Sequence, residues 1–458
     1  MNLWQEYTPE LVTDLYEFTM AQSYLQEGMD RLATFSLFIR SYPGDRTCFV
    51  SAGLEHLLEL IPQFRFSGES LEYLASLNRF SRQFLRYLEN FRFTGTVRGI
   101  PEGRLFFKEE PFLEVTAPIT EAQLIETLVI NVLQLETLIA SKAARCFQAA
   151  RGRSLIDFSL RRTHGVDAGV KVARASYLAG FDGTSNVLAG KLYNIPVVGT
   201  MAHSYITSFP SELDSFYAFE RAFPQSTVLL IDTYDTVHGA EKALEVARKM
   251  REEGLELRGV RLDSGDLVQL SRKVREIFRE GGFPQVKILV SGSLDEYTIE
   301  ELLDDGAEVD VFAVGTRMGV SADAPYFDIA YKLVEYDGRP VLKLSSGKKT
   351  WVGRKQVYRH WDEQGRMKGD TVALLEEEVA GGEPLLETVM EDGKPLREPE
   401  SLNTIRERFQ EEWARLPREL RQTRSRSSYP VTISSSLMQL EERTAQEKKK
   451  TELDAPMS

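Results

Sequence analysis

The sequence points to an α/β protein: a β/α barrel with a second α+β domain formed by N-terminal and C-terminal segments. Three observations carry this. Between Ser154 and Arg317, short β-branched runs alternate with longer amphipathic segments. The runs are continuously apolar, as parallel strands buried on both faces are. Nearly every run ends in reactive polar side chains, which is where a barrel collects its chemistry, whereas an open doubly wound sheet would concentrate them at one crevice.

Residues 1–120 read as the N-terminal part of the α+β domain, with a helix after Thr13 and strand-like Ala33–Arg40 and Pro111–Ala117. The apolar periodicity of Thr120–Ala150 predicts one long helix leading into a barrel domain over 121–330. There Ser154–Leu160 reads as a strand, and Asp167–Ala179 as a helix with Val170, Ala173 and Tyr177 on one face. Ile195–Met201 reads as the next strand, followed by a helix over Asp214–Phe223. Thr227–Asp232, Gly259–Ser264 and Val286–Gly292 are strands, followed by helices over Val237–Glu253, Leu267–Arg279 and Asp295–Leu303, and Val311–Thr316 closes the series. Residues 331–422 supply hairpins and a helix that join the N-terminal domain. Asp337-Gly338 marks the turn of one hairpin, because a type I′ turn needs positive φ at both central residues. The segment 423–458 is charged and poor in large apolar residues, and its end is expected to be mobile.

Composition narrows the function. At 458 residues the chain calls for two associated domains. Its net charge of −13 argues against a nucleic-acid partner, whose backbone is held by Lys and Arg. The two cysteines, Cys48 and Cys146, are far apart, so a disulfide framework is not expected and a reducing compartment fits. Neither a signal peptide nor a membrane span is legible, which makes the cytoplasm the expected location. There is no P-loop, although Gly347, Lys348 and Lys349 faintly resemble one, no G-x-G-x-x-G after a strand, and no metal-type spacing among the five histidines.

The strand ends supply the candidates. Arg161 and Arg162 are adjacent, and in a buried setting each guanidinium would need an anion. They could clamp a carboxylate or phosphate, or form an ion pair with Asp157 or Asp167. His203 follows Thr200 at another strand end; alone, a histidine is more often packed than reactive. In RLDSGD, Asp263 and Asp266 could share a magnesium ion or hold ribose hydroxyls. Helix capping would explain Ser264 or Asp266 but not Arg261 and Asp263. Ser291, Gly292 and Ser293, like Gly315 and Thr316, put small residues before a helix, where backbone N–H groups can meet an anion. Glycine-requiring turns are the alternative there.

Six motifs in order, TDLYEFTM, DFSLRR, GTMAHS, RLDSGD, SGSLDE and GTRMGVSADAP, make the chain resemble the nicotinate phosphoribosyltransferases from Thr13 to about Leu416. The resemblance implies an irregular β/α barrel of the type II phosphoribosyltransferase kind and a homodimer whose active sites lie at the subunit interface. It implies that nicotinate is joined to 5-phosphoribosyl 1-pyrophosphate, giving nicotinate mononucleotide and pyrophosphate, the first step of NAD synthesis from nicotinate. By position His203 corresponds to the histidine phosphorylated by ATP, and Tyr16 to the tyrosine lying against the pyridine ring, from the other subunit. Thr200 and Arg261 correspond to nicotinate-binding positions and Thr316 to a phosphoribosyl-phosphate contact. Arg161 and Arg162 would add positive charge around carboxylate or pyrophosphate, and Asp263 and Asp266 would form the ribose and Mg2+ site. Nicotinamide and quinolinate transferases are the nearest rivals, but DFSLRR and GTMAHS fit the nicotinate type better, and quinolinate enzymes look shorter. A sugar-phosphate aldolase or isomerase would call for a strand-end lysine, which is absent, and a ligand sensor would not need His203.

Overall fold

The computed structural model describes residues 9–345 and 350–453, so the Gly347-Lys348-Lys349 stretch lies outside the described residues. The chain divides into two compact units, residues 1–140 with 326–458, and residues 141–325.

The first unit is built on a seven-stranded antiparallel sheet. In spatial order its strands are Arg339–Pro340, Ile329–Tyr336, Leu32–Ile39, Pro111–Pro118, Thr96–Gly99, Glu387–Glu391 and Lys394–Pro395. N-terminal and C-terminal segments therefore share one sheet. Neither could bury its apolar face alone: Phe35 stacks on Tyr331 with ring centroids 4.6 Å apart, and the Tyr331 hydroxyl donates to Ala122 O at 3.0 Å. At the turn, Asp337 (φ 50°) and Gly338 (φ 69°) both take the left-handed conformation that a type I′ hairpin requires.

A smaller sheet runs in the order Glu383–Pro384, Lys355–Trp361, Met367–Leu374 and Val431–Ile433. Its buried Arg359 pairs with Asp370 and with Glu412 of the Leu402–Arg415 helix, at 2.8 and 2.7 Å.

Residues 423–453 are seated in a way their composition hides, and the end expected to be mobile lies outside the described residues. Tyr429 stacks on Phe107 and donates its hydroxyl to Asp370 at 2.8 Å. The strand Val431–Ile433 and the helix Ser435–Glu452 follow, with Leu437 fully buried. A few apolar anchors suffice to seat a charged segment.

Two further elements differ from expectation. The stretch read as one helix over Thr120–Ala150 is two, Ile119–Leu124 and Glu126–Ala149. Its residues up to Ala140 belong to the first unit, so the boundary falls there rather than near 120. The reason is burial: Leu124, Leu128, Val129 and Val132 complete that unit's core.

The second unit holds a parallel sheet in the order Gly183–Thr184, Ser154–Asp157, Val311–Val314, Lys287–Val290, Gly259–Leu262, Val228–Leu230. This order is a cyclic rotation of the chain order, which a wrapped β/α barrel produces and a sheet with a switch point does not. Between its two edge strands in sequence lies Ile195–Met201, read as a strand but contributing only the parallel bridge Thr184↔Val197. Pro196 has no N–H to donate there, and Val198 N donates to Thr184 O at 2.9 Å before pairing lapses. The barrel is thus irregular, a curled sheet open on one side.

Candidate active site

The C-terminal ends of the parallel strands bring together groups that are distant in sequence. Arg261, third residue of the Gly259–Leu262 strand, is at the centre. Its Nε donates to Ser291 Oγ at 2.8 Å, Nη2 to Asp263 Oδ1 at 2.9 Å, and Nη1 to both Thr200 Oγ1 and Met201 O at 3.2 Å. Its guanidinium carbon lies 5.5 Å from the centroid of the Phe158 ring. Three strand ends and the Ile195–Met201 stretch are thereby tied to one planar group. With five N–H donors in a fixed fork, Arg261 has one left on Nη2 for a ligand. As a donor the Thr200 hydroxyl makes only a long bond, 3.4 Å, to Met201 O.

His203 opens the short helix His203–Thr207 and is 43% exposed at its side chain. Its Nδ1 is 3.1 Å from Thr233 Oγ1, and its Nε2 lies 4.0 Å from both Asp232 Oδ1 and Asp263 Oδ2. Asp232 is almost fully buried at the end of the Val228–Leu230 strand. Its Oδ2 accepts from Asp263 N and Ser264 Oγ, both at 2.8 Å, while Oδ1 has no hydrogen-bond partner among the described residues. A buried carboxylate oxygen without a partner is costly unless something is meant to reach it.

Burial works against ionisation of Asp263, but hydrogen bonds from Ser291 and Arg261, with the charges of Arg261 and His203, hold its carboxyl below the usual range. Asp157, inside the rim, is instead pushed up by burial, only partly offset by hydrogen bonds from Ser159 and Thr184.

Ser291, Gly292 and Ser293 follow the Lys287–Val290 strand. Gly292 has φ 93°, and a Cβ there would sit 2.4 Å from Asp263 O, so only glycine fits. The Asp295 side chain caps the Glu296–Asp304 helix through Thr298 N at 2.9 Å, and it also accepts from Arg317 Nη1 at 2.9 Å. Gly315 and Thr316, which follow the Val311–Val314 strand, are therefore linked to the Ser291–Ser293 loop through the Arg317–Asp295 pair.

Three anticipated residues stand elsewhere than expected. Arg161 and Arg162 are not buried but exposed on the single 3-10 turn Leu160–Arg162. The carboxylates weighed as their partners are engaged with others, Asp157 with Ser159 and Thr184 and Asp167 with Lys171. Asp266 caps the Leu267–Glu280 helix, its Oδ1 accepting from Val268 N and Gln269 N at 3.1 Å. The carboxylate that stands with Asp263 is Asp232. The sequence marked it only as a strand end, and Thr233 carried no signal at all.

Tyr16 belongs to the first unit, on the Leu15–Gln26 helix, and is 46% exposed. Burial and then the Glu126 and Glu17 charges raise its phenol above the ordinary range, so it stays protonated.

Among the described residues no group of three His, Cys, Asp or Glu is poised to hold a metal. Asp232 Oδ1, buried without a hydrogen bond, and Asp263 Oδ2 are carboxylate oxygens of the kind a hard cation takes. Both cysteines are buried, outside any disulfide. No helix among the described residues is long and apolar enough to cross a membrane.

A curled parallel sheet whose strand ends converge an imidazole, a guanidinium and two carboxylates beside two small-residue loops defines a β/α-barrel enzyme for anionic substrates. Comparison with known proteins gives the family. Residues 11–134, 153–409 and 381–441 match, respectively, the N-terminal domain, family and C-terminal domain profiles of nicotinate phosphoribosyltransferase. A nicotinate phosphoribosyltransferase of Mycobacterium tuberculosis is 45% identical over 436 residues, covering 95% of this chain and 93% of that protein. The Bacillus subtilis enzyme of that name is 39% identical over 81% of this chain and 77% of its own length. The crystal structure of human nicotinic acid phosphoribosyltransferase superposes with a TM-score of 0.85 at 31% identity, covering 94% of this chain and 99% of that one. The chain belongs to the nicotinate phosphoribosyltransferase family.

Proposed function

We propose that the chain joins nicotinate to 5-phosphoribosyl 1-pyrophosphate, giving nicotinate mononucleotide and pyrophosphate, and couples this to ATP hydrolysis through phosphorylation of His203. The observation that carries the reading is the position of His203 Nε2, 4.0 Å from both Asp232 and Asp263, within the network centred on Arg261.

In the transfer step the pyridine nitrogen attacks C1 of the sugar, the C1–O bond breaks, and pyrophosphate leaves with the electron pair. The free N–H of Arg261 and the Thr200 hydroxyl supply two donors to the nicotinate carboxylate. Ser291, Gly292, Ser293, Gly315 and Thr316 receive the sugar phosphate, and the exposed Arg161 and Arg162 add positive potential for incoming anions. Asp232 and Asp263 would hold Mg2+. When bound, the ion neutralises the charge that develops on pyrophosphate. Asp263 also tolerates the positive charge growing on the ribose, and Asp266 serves it indirectly by ordering the loop.

In the ATP step two carboxylates near Nε2 favour the tautomer with its proton there, and the Nδ1 lone pair gives up its contact with the Thr233 hydroxyl to attack the γ-phosphorus. ADP leaves, and water later cleaves the P–N bond. Tyr16 is read as reaching the pyridine ring of a second copy in a homodimer, and the cytoplasm as the compartment.

Product assays with nicotinate and nicotinamide test the substrate; preference for nicotinamide overturns it. Incubation with γ-labelled ATP should leave acid-labile label on His203 at Nδ1, and wild-type protein that takes up no label rules out the coupling.

A further inference from the structure

We propose that Lys142 is a positioning residue that locks the two phosphate loops of the barrel to one another and so sets affinity for the phosphoribosyl substrate. The inference rests on the reading of Ser291–Ser293 and Gly315–Thr316 as phosphate-binding.

Lys142 lies on the Glu126–Ala149 helix with its side chain 1% exposed. Its Nζ meets Glu296 Oε2 at 2.5 Å and Asp323 Oδ1 at 2.7 Å. Glu296 is the first residue of the helix that follows the Ser291–Ser293 loop, and Asp323 lies in the segment after Thr316. One buried ammonium thus bridges the two loops from below. Arg145, a turn further along the helix, adds a second hold: its Nε pairs with Glu296 Oε1 at 2.7 Å and its Nη2 donates to Tyr297 OH at 2.8 Å. On the solvent side Arg317 closes the same pair of loops by its bond to Asp295. Three cations therefore face three carboxylates, and both loops are held from two sides.

A buried ion pair is a poor device for stability, because hydrocarbon of the same volume often does as well. What a cation between two carboxylates supplies is a defined separation of the groups it joins. Phosphate recognition by backbone N–H groups depends on that separation to fractions of an ångström. None of these residues belongs to the Arg261–His203 network, which the locked loops touch through Ser291, so the effect should fall chiefly on the phosphoribosyl substrate.

Asp323→Asn removes one leg of the bridge at a partly exposed position, leaving Lys142 paired with Glu296. Asp323→Glu is the conservative control. We expect the KM for 5-phosphoribosyl 1-pyrophosphate to rise roughly tenfold, with the nicotinate KM within about twofold of wild type. Ribose 5-phosphate binding, measured calorimetrically, should weaken by a similar factor, and Asp323→Glu should recover most of both. Unchanged constants, or a fall in every parameter in step with lost folded protein, would overturn the proposal. Wild type that binds ribose 5-phosphate without turning over nicotinate would refute the proposed substrate while leaving the loop lock testable by binding alone. Wild type that binds no ribose 5-phosphate would refute both.

Discussion

His203 Nε2 stands 4.0 Å from Asp232 Oδ1 and 4.0 Å from Asp263 Oδ2, one imidazole nitrogen facing carboxylates from two different strand ends. Thr233 occupies the other ring nitrogen at 3.1 Å. The ring is oriented from both sides, and each side can be tested.

His203→Ala should abolish the stimulation by ATP while leaving slow, ATP-independent transfer, measured as mononucleotide formed with and without ATP. Loss of both activities in a folded protein would put His203 in the transfer step itself.

Asp232→Asn keeps the hydrogen bonds accepted by Oδ2 within reach but removes the charge that selects the tautomer. Label uptake from ATP should slow by about a hundredfold, in the range of general acid–base effects. Uptake at the wild-type rate would remove Asp232 from the phosphorylation step.

Arg261→Lys is not conservative here, because a point charge cannot span Ser291, Asp263, Thr200 and Met201 at once. The nicotinate KM should rise at least about tenfold, the worth of roughly 1.4 kcal/mol, a modest value for hydrogen bonds to a charged group. A KM that stays put would show that Arg261 organises the rim without meeting the base.

Tyr16→Ala should raise the nicotinate KM about two- to tenfold, the worth of one aromatic contact, and Tyr16→Phe should stay near wild type because the contact is with the ring. A similar loss in both variants would assign the role to the hydroxyl.

Glu17 has a pH signature of its own. Burial, opposed by hydrogen bonds to Thr127 and reinforced by the charges of Glu126 and Asp14, raises its carboxyl from 4.5 to about 8, and its Oε2 is buried without a partner. A raised acid favours the folded state while both forms are protonated, and that advantage is lost as pH rises from 4.5 toward 8. The thermal midpoint of wild type should therefore carry a downward slope across that window. Glu17→Gln, neutral throughout, should flatten it and gain stability at pH 8. Parallel slopes for the two proteins would show that Glu17 does not titrate there.

Much of this protein could be read from its chain alone, because periodicity and strand-end chemistry are local. Most of the barrel strands and the Asp337-Gly338 turn follow from short stretches whose residues state their own environment, while the prominence of His203 and Thr200 came from the ordered motifs that resemble a known family. Which groups share a site is a different question, answered by sheet order and register. Asp232 gained its importance only when its strand was laid beside Gly259–Leu262, setting its carboxylate under Asp263 N. Asp266 takes the capping role weighed as its alternative, because the nearest unpaired N–H groups were those of its own helix. Arg161 and Arg162 looked buried because their strand is, yet a 3-10 turn carries them into solvent. Tertiary packing also seated the charged C-terminal segment through Tyr429 and Leu437. Composition averages over a segment, whereas folding needs only the few side chains that find an apolar socket.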